Sequence, residues 1–149
     1  MSHGSGLYAI PHLAACVAQV IPESGGFDAA EVFHLAKVHS GITMFAAPTI
    51  VKRLVDEARR TAPALDGLKS IVYGGAPMYE ADIRAALGAM GHRFAQIYGQ
   101  GESPMCITAL SKVHLADVDH PRYVHRIGSV GVAQTGVEVA VLDADDRPV

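Results

Sequence analysis

Apolar positions along the chain fall into two alternating rhythms. From Gly6 to about Ala15 the spacing is helical, and V-A-Q-V-I before Pro22 reads as a strand. S-G-G-F-D follows as a loop whose Asp28 is placed to cap a helix over about Ala29 to His39. Val32, Phe33, Leu35, Ala36 and Val38 give that helix its apolar side, and Gly41 supplies the stop. G-I-T-M-F-A-A is β-branched and aromatic, which predicts a buried strand ending at Pro48. Thr49 to Arg60 returns to a 3.6-residue period, with Ile50, Val51, Leu54 and Val55 apolar and Lys52, Arg53, Glu57, Arg59 and Arg60 polar, the pattern of an amphipathic surface helix. After the turn-rich T-A-P-A-L-D-G, K-S-I-V-Y predicts a strand that ends in G-G-A-P. A helix from Tyr79 to about Met90 stops at Gly91, and H-R-F-A-Q-I-Y is the next strand.

Strands alternating with helices at intervals of about 25 to 30 residues are the mark of successive βαβ units. The fold class expected is therefore α/β, a mostly parallel doubly wound sheet flanked by helices with right-handed crossovers. After Met105 the pattern loosens into an apolar M-C-I-T-A-L, a polar His-rich loop to Arg126, G-S-V-G-V-A-Q-T-G and an alternating V-E-V-A-V-L before D-A-D-D-R-P-V. That last run predicts a strand or hairpin belonging to a second small sheet. The chain reads as a single domain over residues 1–149. Residues 1–104 form the parallel core, and residues 105–149 an irregular loop plus a terminal β segment. No solenoid period or low-complexity tract appears.

Composition narrows the function classes. Half of the 149 residues are apolar and 18% are charged, with a formal net charge of -3, a balance suited to one globular domain. The basic residues are scattered apart from Lys52-Arg53 and Arg59-Arg60, so no nucleic-acid footprint is expected. Cys16 and Cys106 stand ninety residues apart without a C-x-x-C pair. They read as two mostly buried thiols of a reducing, cytoplasmic compartment. The start M-S-H-G-S-G-L-Y lacks the basic and apolar regions of a signal peptide. The longest apolar-looking stretch, Leu7 to Ile21, is broken by Pro11, His12 and Gln19, which argues against a membrane span.

In an open parallel sheet, ligands bind beyond the carboxyl ends of the strands where strand order reverses. Two predicted strands end in glycine-rich segments there: Gly74-Gly75-Ala76-Pro77 and Gly99-Gln100-Gly101-Glu102. Glycines let a flat ring or a phosphate approach the main chain and use its N–H and C=O groups. Tyr98 offers a face for stacking, and Glu102 is an oxygen ligand suited to Mg²⁺. Gly74-Gly75-Ala76-Pro77 alone reads as a strand-to-helix turn, and the second segment alone points to a ligand only slightly better. Together, one helix apart and on one sheet edge, they reinforce each other.

Three other constellations are weaker. His114, Asp117, Asp119, His120 and His125 lack compact ligand spacing and read as a solvated loop rather than a metal site. Ser5 in His3-Gly4-Ser5-Gly6 follows no strand, which rules out a nucleophile elbow. His34 and His39 are five residues apart on one helix, do not share a face, and read as partly exposed.

The motifs resemble those of the adenylate-forming (AMP-dependent) superfamily of acyl-CoA synthetases, luciferase-like enzymes and peptide-synthetase adenylation domains. S-I-V-Y-G-G-A-P-M is similar to that family's adenine-facing strand and loop, and I-Y-G-Q-G-E-S-P to its Tyr-Gly-x-Thr-Glu motif. S-H-G-S-G-L-Y resembles its acyl-site segment, M-F-A-A-P-T its upstream strand and helix start, and R-I-G-S-V-G-V-A-Q-T-G-V-E-V-A-V-L-D its Gly-Ser-x-Gly strand region. The resemblance covers essentially the whole chain. It implies that Gly74, Gly75, Ala76 and Pro77 line an adenine pocket, that Tyr98 stacks on adenine and that Glu102 binds the Mg²⁺ of ATP. Gly99 would lie between nucleotide and acyl group, with His3 at the acyl end. One departure is Gly101, which stands where the family's phosphate-bonding Thr is expected; either Gln100 or a backbone N–H takes over that contact, or nucleotide binding is weakened.

The reaction implied has two steps: a carboxylic acid and ATP give acyl-adenylate and pyrophosphate, then coenzyme A displaces AMP. The family's lysine-bearing phosphate loop is expected before residue 1, and its Thr-Gly-Asp, hinge and catalytic lysine after residue 149. The expectation is therefore an incomplete part of the large N-terminal domain that forms no acyl-adenylate alone. No catalytic residue beyond Glu102 is expected in the chain. A non-catalytic nucleotide-binding or protein-interaction α/β module is the alternative, and an FMN-binding flavodoxin-like protein a third reading, against which P-E-S-G-G after the first strand counts. Met105, Cys106 and Ile107 suggest an apolar pocket wall compatible with medium fatty or aromatic acids. Exposed apolar surface makes a homo-oligomer an expectation as well.

Overall fold

A computed structural model describes residues 3–149, with the side chains of His3 and Ser5 outside the described set. The predicted strand–helix alternation is present from residue 29 onward. Helix α2 (Ala29–Val38) starts where Asp28 caps it, its carboxylate accepting from the Glu31 N–H at 3.0 Å. Strand β1 (Ile42–Ala46) leads into α3 (Pro48–Thr61), with Pro48 in the first turn where its missing N–H costs nothing. Then come β2 (Leu68–Tyr73), α4 (Glu80–Met90), closed by Gly91 at φ +72, and β3 (Phe94–Gln100). β1, β2 and β3 pair in parallel, and the strand order of the five-stranded sheet follows the chain, β1 to β5. Among the described residues strand order does not reverse, so the expected switch point is replaced by simple adjacency of strand ends.

The sheet is mixed. β4 (Ser103–Leu110) folds back antiparallel on β3, and the two-residue β5 (Val132–Ala133) pairs antiparallel with β4. The expected strand over 137–142 is not a strand. It is an exposed segment with one bridge, Leu142 to Pro148, closed around Asp143, whose carboxylate accepts from the Asp145 and Arg147 N–H groups. V-A-Q-V-I, the other expected strand, is irregular and exposed, with Ile21 72% accessible. Among the described residues it pairs with no strand.

One face of the sheet carries the core. A row of paired residues, Ala46, Tyr73, Gln96 and Leu110, crosses four strands and is buried throughout. Leu54, Ile83, Met90, Leu115 and Ile127 cover this face, from α3, α4 and the short helices α5 (Lys112–Ala116) and α6 (Tyr123–Ile127). Tyr73 donates to the Gln96 side-chain oxygen at 3.2 Å, so the polar pair in the core is satisfied. On the opposite face, helix α1 (His3–Ala14) lies over β1, with Tyr8 stacked on Phe45 at 5.7 Å between ring centroids. Cys16 and Cys106 are both exposed, contrary to the expectation of buried thiols. Cys16 sits in the irregular stretch after α1, and Cys106 on the outward side of β4. No helix of the described residues is long and apolar enough to cross a membrane.

Candidate functional site

Parallel pairing brings the ends of β1, β2 and β3 to one rim. Gly74, directly after β2, donates its N–H to the Ala46 carbonyl at 3.4 Å, which fastens the first glycine segment to β1. On its other side Gly74 presses on β3. A Cβ there would come 2.6 Å from both the Ile97 carbonyl oxygen and Ile97 Cδ1, so only glycine fits. Gly75 adopts φ +84, a backbone region that L side chains rarely enter. Ala76 and Pro77 are exposed, and the chain then enters α4, whose first turn carries Glu80 and Asp82.

Phe45 joins this segment to α1. Its ring lies 3.9 Å from the Cβ position of Gly75 and packs directly against Gly4, where a side chain would not fit. The first turn of α1, which His3 opens, therefore adjoins the first glycine segment. The His3 side chain itself lies outside the described residues.

The second segment differs from expectation. Rather than an open loop after residue 98, β3 runs on through Gln100, and Gly101-Glu102 forms the tip of a hairpin in which Gln100 faces Ser103. The apolar run M-C-I-T-A-L supplies the returning strand, whose backbone groups need a partner. Gly99 meets its own hairpin: a Cβ would lie 2.6 Å from the Ser103 carbonyl oxygen and 2.8 Å from Met105 Cα. The register shifts between Tyr98 and Gln100, and Met105 takes φ +64, so β4 bulges opposite Gly99. Gln134, which sequence reasoning passed over, holds the bulge. Its amide donates to the Met105 carbonyl at 2.8 Å and to the Thr108 carbonyl at 3.2 Å. A lone Gln between turn residues gives no sequence signal of that role.

Tyr98 is half-buried, and its hydroxyl accepts from the Gln100 side-chain amide at 2.7 Å. Gly75, Ala76, Pro77, Gln100, Gly101 and Glu102 are exposed, so the rim is an open ledge. Burial raises the Tyr8 phenol above its ordinary value, and the Cys106 thiol on β4 adds to the effect. No group of three or more His, Cys, Asp or Glu gathers to hold a metal among the described residues, the His114 to His125 stretch included. A lone exposed carboxylate such as Glu102 suits Mg²⁺ only as one ligand among phosphate oxygens and waters, not as part of an all-protein cage.

The chain matches known proteins over its length. A family model described as AMP-binding enzyme covers residues 1–149. Medium/long-chain-fatty-acid–CoA ligase FadD8 of Mycobacterium tuberculosis is 31% identical over 123 residues, 83% of this chain and 20% of that protein. Among solved structures, ATP-bound MatB from Rhodopseudomonas palustris has the same fold, with a TM-score of 0.77 and 24% identity over 99% of this chain and 27% of that one. The amide bond synthetase McbA from Marinactinospora thermotolerans gives a TM-score of 0.68 at 27% identity, over 84% of this chain and 24% of its own. The chain thus spans about a quarter or less of the length of these relatives. The family model leaves no residue of the chain out: this chain belongs to the family of AMP-binding enzymes.

Proposed function

We propose that the rim is the nucleotide-facing part of an acid-activating ligase, which joins a carboxylic acid to AMP from ATP and passes the acyl group to coenzyme A. The observation that carries this reading is the contact of Gly74 with Ile97, which brings the two motif segments side by side at one edge of the sheet. In this reading Gly74, Gly75, Ala76 and Pro77 take the adenine edge through main-chain groups, and Tyr98 stacks on the ring. Gly99 lies between nucleotide and acid, and Glu102 contributes one oxygen to Mg²⁺ on the phosphates, a cation that would neutralise charge there. Gln100 and the Gly101 N–H replace a hydroxyl donor to phosphate. His3 and Met105 face the acid. The fatty-acid ligases among the relatives favour an apolar acid, and the location favoured is the cytoplasm.

The two rim segments carry one carboxylate and no cation, which leaves a triphosphate's charge uncompensated. By this reading the 149 residues bind nucleotide weakly and form no acyl-adenylate alone. Titration with AMP and with MgATP, followed by backbone amide NMR, tests the assignment. Saturable shifts should centre on residues 74–77 and 98–102, and Tyr98→Ala should weaken AMP binding about tenfold. Shifts scattered over the surface, or an unchanged affinity in Tyr98→Ala, would overturn it.

A further inference from the structure

The short helices α5 and α6 and the turn into β5 line an open hollow of about 270 Å³ that shares no lining residue with the glycine rim. Its floor is Leu110, which pairs with Gln96 toward the starting end of β3. His114 from α5, His120 and Arg122 from the connecting loop, and His125 and Arg126 from α6 form its walls together with Ser129, and no carboxylate lines it. Such a lining selects for negative charge.

Hydrogen bonds fix part of the donor set. His114 Nδ1 accepts from the Ser111 N–H at 3.4 Å, and His120 Nδ1 accepts from the Arg122 N–H at 3.1 Å. A neutral imidazole whose Nδ1 accepts a backbone N–H carries its own hydrogen on Nε2. In that tautomer each ring presents an Nε2–H donor, and the Ser111 hydroxyl, 3.3 Å from His114 Nδ1, can donate to it as well. Arg126 is paired with Asp117 at 3.0 Å, whereas Arg122 makes no salt bridge among the described residues. A guanidinium fork beside N–H donors matches a tetrahedral oxyanion. The same side chains do not gather as metal ligands, and two guanidinium groups would repel a cation.

We propose that this hollow is a binding site for a phosphate-class anion, held by Arg122 and Arg126 and by the Nε2–H groups of His114 and His120. It is independent of the nucleotide rim, and neither reading needs the other. The test is a titration of the chain with inorganic phosphate at constant ionic strength, read on the imidazole nitrogens by long-range ¹H–¹⁵N NMR. Saturable shifts of His114, His120 and His125 are expected, with the Nε2–H tautomer visible in the first two. Arg122→Gln should weaken binding about tenfold, Arg122→Lys should restore only part of it, and Lys52→Gln, on a distant helix, should leave it unchanged. Glycerol phosphate in a parallel titration separates the sources: tighter binding assigns the phosphate end of a larger molecule, weaker binding the free ion. Shifts that chloride reproduces, shifts that survive in Arg122→Gln, or imidazole shifts seen with Zn²⁺ alone and not with phosphate would overturn the proposal.

Discussion

Gly99 and Gly101 stand two residues apart in one hairpin and should answer differently to a methyl group. At Gly99 the new Cβ meets main-chain atoms of the returning strand, Ser103 O at 2.6 Å and Met105 Cα at 2.8 Å, and main chain cannot swing aside. At Gly101 nothing among the described residues lies within 4 Å, and its φ is not positive. Gly99→Ala should therefore lose about 2 kcal/mol or more in urea unfolding, and Gly101→Ala about 0.5 kcal/mol or less. Equal losses would mean that the hairpin does not close as described. The sequence presents both glycines alike, and the expectation was that both clear space for a ligand. Only the fold separates a glycine needed for the hairpin's own closure from one that leaves open space. That open space makes Gly101→Thr informative. The variant puts back the hydroxyl expected from the family's motif without straining the turn, so stability should stay nearly constant while ATP binding tightens about fivefold, read by titration. Unchanged affinity would assign the phosphate contact to another group.

At the scale of elements, legibility followed periodicity and caps. Helices α2, α3 and α4 are fixed by apolar stripes of three to four residues per two turns and by identifiable ends, Asp28, Pro48 and Gly91. Strands did less well because their existence depends on partners. V-A-Q-V-I has the composition of a strand but pairs with none among the described residues, while M-C-I-T-A-L becomes β4 because β3 stands beside it. Bulges escape a pattern reading altogether, since the residue that stabilises the β4 bulge, Gln134, is about thirty positions away. Gln134→Ala should therefore act locally. Two main-chain carbonyls lose their donor at a cost of about 1 to 2 kcal/mol, and amide exchange should speed up over residues 103–108 while β1 and β2 keep their protection. Uniform acceleration across the sheet would make Gln134 a support of the whole fold instead of the bulge.

The molecule as a whole is tied together by the buried row Ala46, Tyr73, Gln96 and Leu110, which spans four strands beneath the rim. Its class was legible because each βα unit is local in sequence; the monotonic strand order and the single mixed sheet were not, because they are decided by which edges remain free. Tyr73 makes this row sensitive to alkali. Burial pushes its phenol well above the ordinary value of 10.0, so the native chain keeps the proton to higher pH than the unfolded chain does. Above about pH 10 the unfolded state holds fewer protons, and stability must fall as pH rises; below that value the contribution is intact. One such group gives a slope of at most about 1.4 kcal/mol per pH unit. Tyr73→Phe cannot ionise there, but leaves the Gln96 oxygen without its donor. It should be less stable by about 1 kcal/mol at neutral pH and yet lose less between about pH 10 and 11.5, so that the two stability curves converge. A remaining slope in the variant is expected from Tyr8, whose phenol is raised in the same direction. Parallel curves over that range would mean that the Tyr73 phenol titrates alike in both states and that the row beneath the rim is open to water.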